Sequence, residues 1–143
     1  MKTIFIGDIV GRSGRDALSN NLVQIKKKYN PDIIIANAEN AASGYGLTKK
    51  IANELFEIGV DVITLGNHSW DQKEMLSYIE ECPKIIRALN YPKGVPGQGE
   101  YKIELEDGRT IIIIQVLLRL FMGLSVDDPF SIIEKRLKKE FLG

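Results

Sequence analysis

Asp32-Ile33-Ile34-Ile35-Ala36-Asn37-Ala38-Glu39-Asn40 is the stretch whose reading decides the fold. Three consecutive isoleucines in a short apolar run predict a strand over Asp32 to Ala36, and the run stops abruptly at a polar set. On its N-terminal side, Asn30-Pro31 closes a helix, because proline restricts the residue before it and cannot extend the hydrogen-bond ladder. That helix is predicted over Ser13 to Tyr29, with Leu18, Leu22, Ile25 and Tyr29 on one face. Before it, Thr3 to Ile6 reads as a short buried strand that stops at Gly7-Asp8.

The same alternation continues in the other direction. Thr48 is placed to cap a helix from about Lys49 to Ile58, with Gly59 where a left-handed residue is wanted. Val60 to Leu65 predicts a third strand, ending at Gly66-Asn67-His68. Asp71, with Glu74 three residues on, predicts a helix through about Glu81, followed by Pro83. Short apolar runs alternating with amphipathic segments are the mark of βα units, so the chain reads as α/β. Beyond them, Asn90 to Gly99 reads as an ordered loop. Tyr101 to Glu106, the Asp107-Gly108 turn and Arg109 to Leu118 predict a β-hairpin. A last helix starts at Asp127-Asp128-Pro129 and carries Phe130, Ile133, Leu137 and Phe141 as an apolar stripe.

Composition narrows the functional classes. The 143 residues fit one domain over 1–143, with no repeat and no linker. Nineteen basic residues balance nineteen acidic ones, so no basic excess is available for bulk nucleic-acid binding. One cysteine, Cys82, excludes an internal disulfide framework and suits a reducing cytoplasm. No stretch approaches the ~20 apolar residues of a membrane span, so no membrane partner is expected. The expectation is a soluble cytoplasmic protein.

Each strand end carries an unusual polar set: Gly7-Asp8, Asn37-Ala38-Glu39-Asn40 and Gly66-Asn67-His68. Ligands bind beyond the carboxyl ends of strands in open α/β sheets. If the strands are parallel, Asp8, Glu39, Asn40, Asn67 and His68, the sole histidine, converge on one edge. Two carboxylates, two carboxamides and an imidazole suit hard or borderline divalent metals better than a nucleophilic triad. Taken singly, each has an ordinary role as a cap, a turn residue or a surface histidine; the case rests on their joint occurrence. Arg12 and Arg15 could meet a phosphate but also fit a solvated helix face, and Trp70 reads as a packing anchor. Gly7, Gly11 and Gly14 do not form G-x-G-x-x-G. No P-loop and no G-x-S-x-G elbow occurs either.

Phe5-Ile6-Gly7-Asp8-Ile9-Val10-Gly11-Arg12, Asn37-Ala38-Glu39-Asn40-Ala41-Ala42 and Gly66-Asn67-His68-Ser69-Trp70-Asp71 together resemble the YmdB-like branch of the calcineurin-like metallophosphoesterases, a bacterial family. The similarity continues through Asn90-Tyr91-Pro92 and Pro96-Gly97 to about Phe121-Met122. The resemblance implies a β-sandwich flanked by helices, with two divalent metal ions, iron or manganese, cleaving phosphodiesters that include cyclic nucleotides. It implies that Asp8 and Asn40 ligate the first metal, Glu39 bridges both and Asn67 ligates the second. His68 is then the proton donor to the leaving oxygen.

Members of that family are nearly twice as long, and their second half supplies three further histidine ligands. The resemblance therefore implies the N-terminal part of such an enzyme, truncated, and either active or inactive alone, or completed by a homo-oligomer or a complementing C-terminal fragment. The alternative is a non-catalytic remnant or binding module. Gln115 and Leu118 stand where the family pattern has Asn and Gly. The apolar run Ile111 to Leu118 is expected to lie exposed and to pair or aggregate.

Overall fold

The computed structural model describes residues 1–141, with side chains through Glu140. Its first part is β1 (Thr3–Ile6), α1 (Gly11–Tyr29), β2 (Ile33–Asn37), α2 (Lys49–Glu57), β3 (Val62–Thr64), α3 (Met75–Glu81) and β4 (Ile85–Ile86). The four strands form one parallel sheet in the order β1-β2-β3-β4. Consecutive parallel strands joined by crossovers of one hand bring all three helices to the same face. On that face Leu18, Leu22, Ala52, Leu55, Met75 and Ile79 pack against Ile34, Ala36, Ile63 and Ile85.

The opposite face, Ile33, Ile35, Val62 and Ile86, is equally apolar, which is why β2 reads as an unbroken isoleucine run. It is covered by an antiparallel hairpin, β5 (Glu100–Glu104) and β6 (Thr110–Ile114), through Ile111 and Ile113. Helix α4 (Pro129–Phe141) lies on the outer side of the hairpin, where Arg136 pairs with Glu100 and Glu140 with Lys102. Helices, parallel sheet, hairpin and α4 make four layers. No helix among the described residues is long and apolar enough to cross a membrane.

Several sequence expectations are corrected. β1 is an edge strand with Phe5 58% exposed, because the hairpin does not reach over it. α1 begins two residues before Ser13 and ends as expected, with Asn30 left-handed at φ 45°. The helix expected from Asp71 begins only at Met75, because the Asp71 and Glu74 carboxylates are engaged elsewhere. Glu74 Oε1 accepts from the Lys49 N–H instead of closing a capping box. β4 has two residues, too few to show a pattern.

The run from Ile111 to Leu118 is covered on one face, and its strand pairs along one edge, with β5, among the described residues. Ile111, Ile113 and Leu117 are buried, whereas Leu118 is 61% exposed. The strand stops at Ile114 because the following backbone bonds elsewhere: Leu89 N–H to Gln115 O, and Leu117 N–H to Asn90 Oδ1. On α4, Phe130 is 76% and Leu137 45% exposed, so much of the expected stripe lies open. The Phe141 side chain falls outside the described residues.

Candidate active site at the strand ends

The loops after β1, β2 and β3 are stitched together by backbone bonds. Ile9 N–H donates to Asn37 O and Gly11 N–H to Asn40 O, drawing the segment after β1 against the turn after β2. Ala38 N–H donates to Thr64 O, which brings that turn beside β3. Asp8 and Asn40 therefore meet, and Asn40 Nδ2 donates to both Asp8 oxygens at 3.1 and 2.9 Å.

Glu39 is aimed by its neighbour. The Asn37 side-chain oxygen accepts from Glu39 N–H, an Asx turn, and Asn37 Nδ2 lies 3.5 Å from Glu39 Oε1. The other carboxylate oxygen accepts from the His68 N–H at 3.3 Å. Between them lies Gly66, and a Cβ there would fall far inside van der Waals contact of the Glu39 carboxylate. The missing methyl is the space that Glu39 occupies.

Gly66 is itself held. Its carbonyl accepts from Ser69 Oγ at 2.6 Å and from the Tyr91 hydroxyl at 3.1 Å. Burial, and then the negative charge of Glu39, pushes the Tyr91 phenol above its ordinary value, so it remains a protonated donor. Trp70 stacks edge-on against Tyr91 with ring centroids 4.7 Å apart, acting as the expected packing anchor.

His68 is half-buried, and its Nδ1 lies 2.6 Å from Asp71 Oδ2. A carboxylate accepts only, so Nδ1 carries the proton of that bond, which leaves Nε2 as the ring nitrogen outside it. Tyr45 stands edge-to-face on the same imidazole, centroids 5.3 Å apart.

Asp8 with Asn40, and Glu39 with His68, are thus brought into direct contact, and adjacency in the chain joins the two pairs. Asn67 is half-buried between Gly66 and His68. Arg12 is solvated and pairs with Asp16, while Arg15 donates to the Ala41 carbonyl and so braces the turn that carries Glu39 and Asn40. Sequence reasoning missed Asn37, Tyr45, Asp71 and Tyr91. The Asn-x-Glu spacing was a readable Asx-turn signal for Asn37. A Tyr in a Gly-rich loop and an Asp three residues after the histidine carry no comparable mark.

The donor set fits hard divalent ions by its chemistry: carboxylate and carboxamide oxygens, with the gap at Gly66 admitting Glu39. Asn40 now points its amino group at Asp8, and a half-turn of that amide would present oxygen instead. Among the described residues no group of three or more His, Cys, Asp or Glu side chains stands together as a metal site.

Comparison with known proteins matches residues 4–141 to the YmdB-like protein family. A 2′,3′-cyclic-nucleotide 2′-phosphodiesterase of Bacillus subtilis (strain 168) is 42% identical over 130 residues, 91% of this chain and 48% of its own. A crystal structure of a hypothetical protein from Thermus thermophilus superposes with a TM-score of 0.89 at 40% identity, covering 97% of this chain and 53% of that one. The crystal structure of a novel phosphatase of Mycoplasma pneumoniae superposes with a TM-score of 0.90 at 35% identity, over 97% and 51% respectively. The chain spans about half the length of these relatives.

Proposed function

This chain belongs to the YmdB-like family, and from that membership we propose that it carries the first part of a metal-dependent phosphodiesterase site. The observation that carries the reading is the convergence of Asp8, Glu39, Asn40 and His68 beyond three adjacent parallel strands. The hairpin facing the parallel sheet supports assignment to the helix-flanked sandwich of calcineurin-like metallophosphoesterases.

In this reading Asp8 and Asn40 would hold one divalent ion, Asn67 a second, and Glu39 would bridge them, iron and manganese being the preferred metals. When bound, such ions neutralise phosphoryl oxygens and make a water nucleophilic near neutral pH. The chain's own residues do the rest. Asn37 and the His68 N–H hold the Glu39 carboxylate over Gly66. Asp71 holds the imidazole of His68 through Nδ1–H, and the imidazolium form, with a second proton on Nε2, can pass that proton to the leaving oxygen and return to the neutral Nδ1–H ring. The substrate class is a phosphodiester, with cyclic nucleotides favoured by the Bacillus subtilis relative.

The described residues supply few ligands, so metal binding by this chain alone is expected to be weak. Residues that the relatives carry beyond the matched half would complete the donor set, from the same polypeptide, a second copy or a complementing fragment.

Hydrolysis of a chromogenic phosphodiester with added manganese, against Asp8→Ala and His68→Ala controls, tests the proposal. Manganese-dependent turnover abolished by both substitutions is the expected result, in this chain or after a complementing segment is added. Turnover that survives both substitutions, or its absence in both preparations, would overturn the reading and leave a non-catalytic module.

A further inference from the structure

We propose that Tyr45 is the platform on which the heterocyclic base of a nucleotide substrate stacks. The inference deepens the phosphodiesterase reading and rests on it. Tyrosines that serve packing here look different: Tyr78 and Tyr91 are each 9% exposed, with hydroxyls donating to Asn53 Oδ1 and the Gly66 carbonyl. Tyr45 is 63% exposed, and its ring stands at 85° to the His68 imidazole. An aromatic ring left in water beside a candidate catalytic group offers an open π-face at the site's rim.

Its backbone is fixed from two sides. Tyr45 N–H donates to Ala42 O within the turn that carries Glu39 and Asn40, and Gly46 N–H closes back to Glu39 O. The Tyr45 carbonyl accepts from Gln72 Nε2 at 2.7 Å, tying it to the turn that carries His68. Gly46, at φ +77°, makes this seam possible, since a Cβ there would press on the Gln72 backbone and side chain. The backbone that carries the ring is therefore held beside His68 before any ligand arrives, which lowers the ordering cost of binding.

The location selects the ligand. Tyr45 touches His68, the group assigned to the leaving oxygen, whereas Asp8 and Asn40 pair with each other. In a ribonucleoside phosphodiester the leaving oxygen and the base sit on the same sugar, so the base falls within reach of this ring. Stacking on an aromatic side chain accepts any base.

Isothermal titration with manganese present, using adenosine 3′-monophosphate and the base-free glycerol 2-phosphate as probes, tests this. The unsubstituted chain is expected to prefer the nucleotide by about five-fold or more, the low end for base–aromatic stacking. Tyr45→Ala should erase that preference without weakening the glycerol phosphate, and Tyr45→Phe should keep it. A preference that survives Tyr45→Ala, or none in the unsubstituted chain, overturns the platform. A Tyr45-dependent preference without phosphodiester turnover sustains the platform and refutes the catalytic reading. Turnover of a cyclic nucleotide with Tyr45-independent affinity does the reverse.

Discussion

Gly66→Ala separates the stability of this fold from the function of its site. The added methyl would overlap the Glu39 carboxylate, which is the far end of a flexible side chain and can swing toward solvent. The backbone at Gly66 is not in the left-handed region, so alanine brings no conformational strain. What is lost is the pair of contacts that aim Glu39: His68 N–H at 3.3 Å and Asn37 Nδ2 at 3.5 Å. Both are long, so together they are worth ~1 kcal/mol, and the variant should fold with a stability loss of about 1–2 kcal/mol. Displacing a ligand or its support, by contrast, should weaken manganese binding by about ten-fold or more. Urea denaturation measures the first quantity and isothermal titration the second. Glu39→Ala should match Gly66→Ala in affinity, and the double variant should lose little more, because both remove one interaction. Unchanged manganese affinity in Gly66→Ala would refute the placement of Glu39 in the metal site. A stability loss above about 4 kcal/mol would show that Glu39 cannot move aside and that the glycine serves packing.

Three further outcomes follow from other contacts. Asp71→Ala should release the single imidazole from its Nδ1–H tautomer; long-range proton–nitrogen NMR in mildly alkaline buffer reads this on one residue, and an unchanged tautomer would contradict the pairing. Asn90→Ala should cost about 3 kcal/mol in urea denaturation, because its buried amide donates to Leu117 O and Asp127 O and accepts from Leu117 N–H. Acid should weaken the tie between the hairpin turn and β2. A backbone bond from Lys2, then Arg109, holds the Asp32 carboxyl below its ordinary 3.8, and Arg109 does the same for Asp107. A carboxyl lowered by folding adds stability above its unfolded value and loses it as pH falls through the folded one. Arg109→Gln should therefore flatten the stability decline between about pH 5 and pH 3, and an equally steep decline would exclude this link.

The sequence showed most where one local signal sufficed. The isoleucine run of β2, the Thr48 cap, accepting from Ile51 N–H, and the end of α1 at Asn30 all match the structure within a residue or so. These features depend on neighbours a few positions away, whose chemistry is printed in the chain. Helix α3 failed at its start for the opposite reason. Asp71 and Glu74 satisfy a capping pattern, but the Asp71 carboxylate is taken by the nearby His68 ring and the Glu74 carboxylate by the Lys49 N–H from a distant helix start. The apolar run from Ile111 to Leu118 showed its hydrophobicity and hid its partners, since the opposing Ile33, Ile35 and Val62 lie some fifty or more positions earlier.

By itself the sequence determined the βα order, the family and the five polar residues at the three strand ends, because strand pattern and residue type are local properties. Only the tertiary structure decided that Asn40 meets Asp8, that Glu39 rests over Gly66 and that Tyr45 faces the His68 imidazole. Those relations depend on how three separate loops cross, and no spacing along one chain encodes a distance between loops.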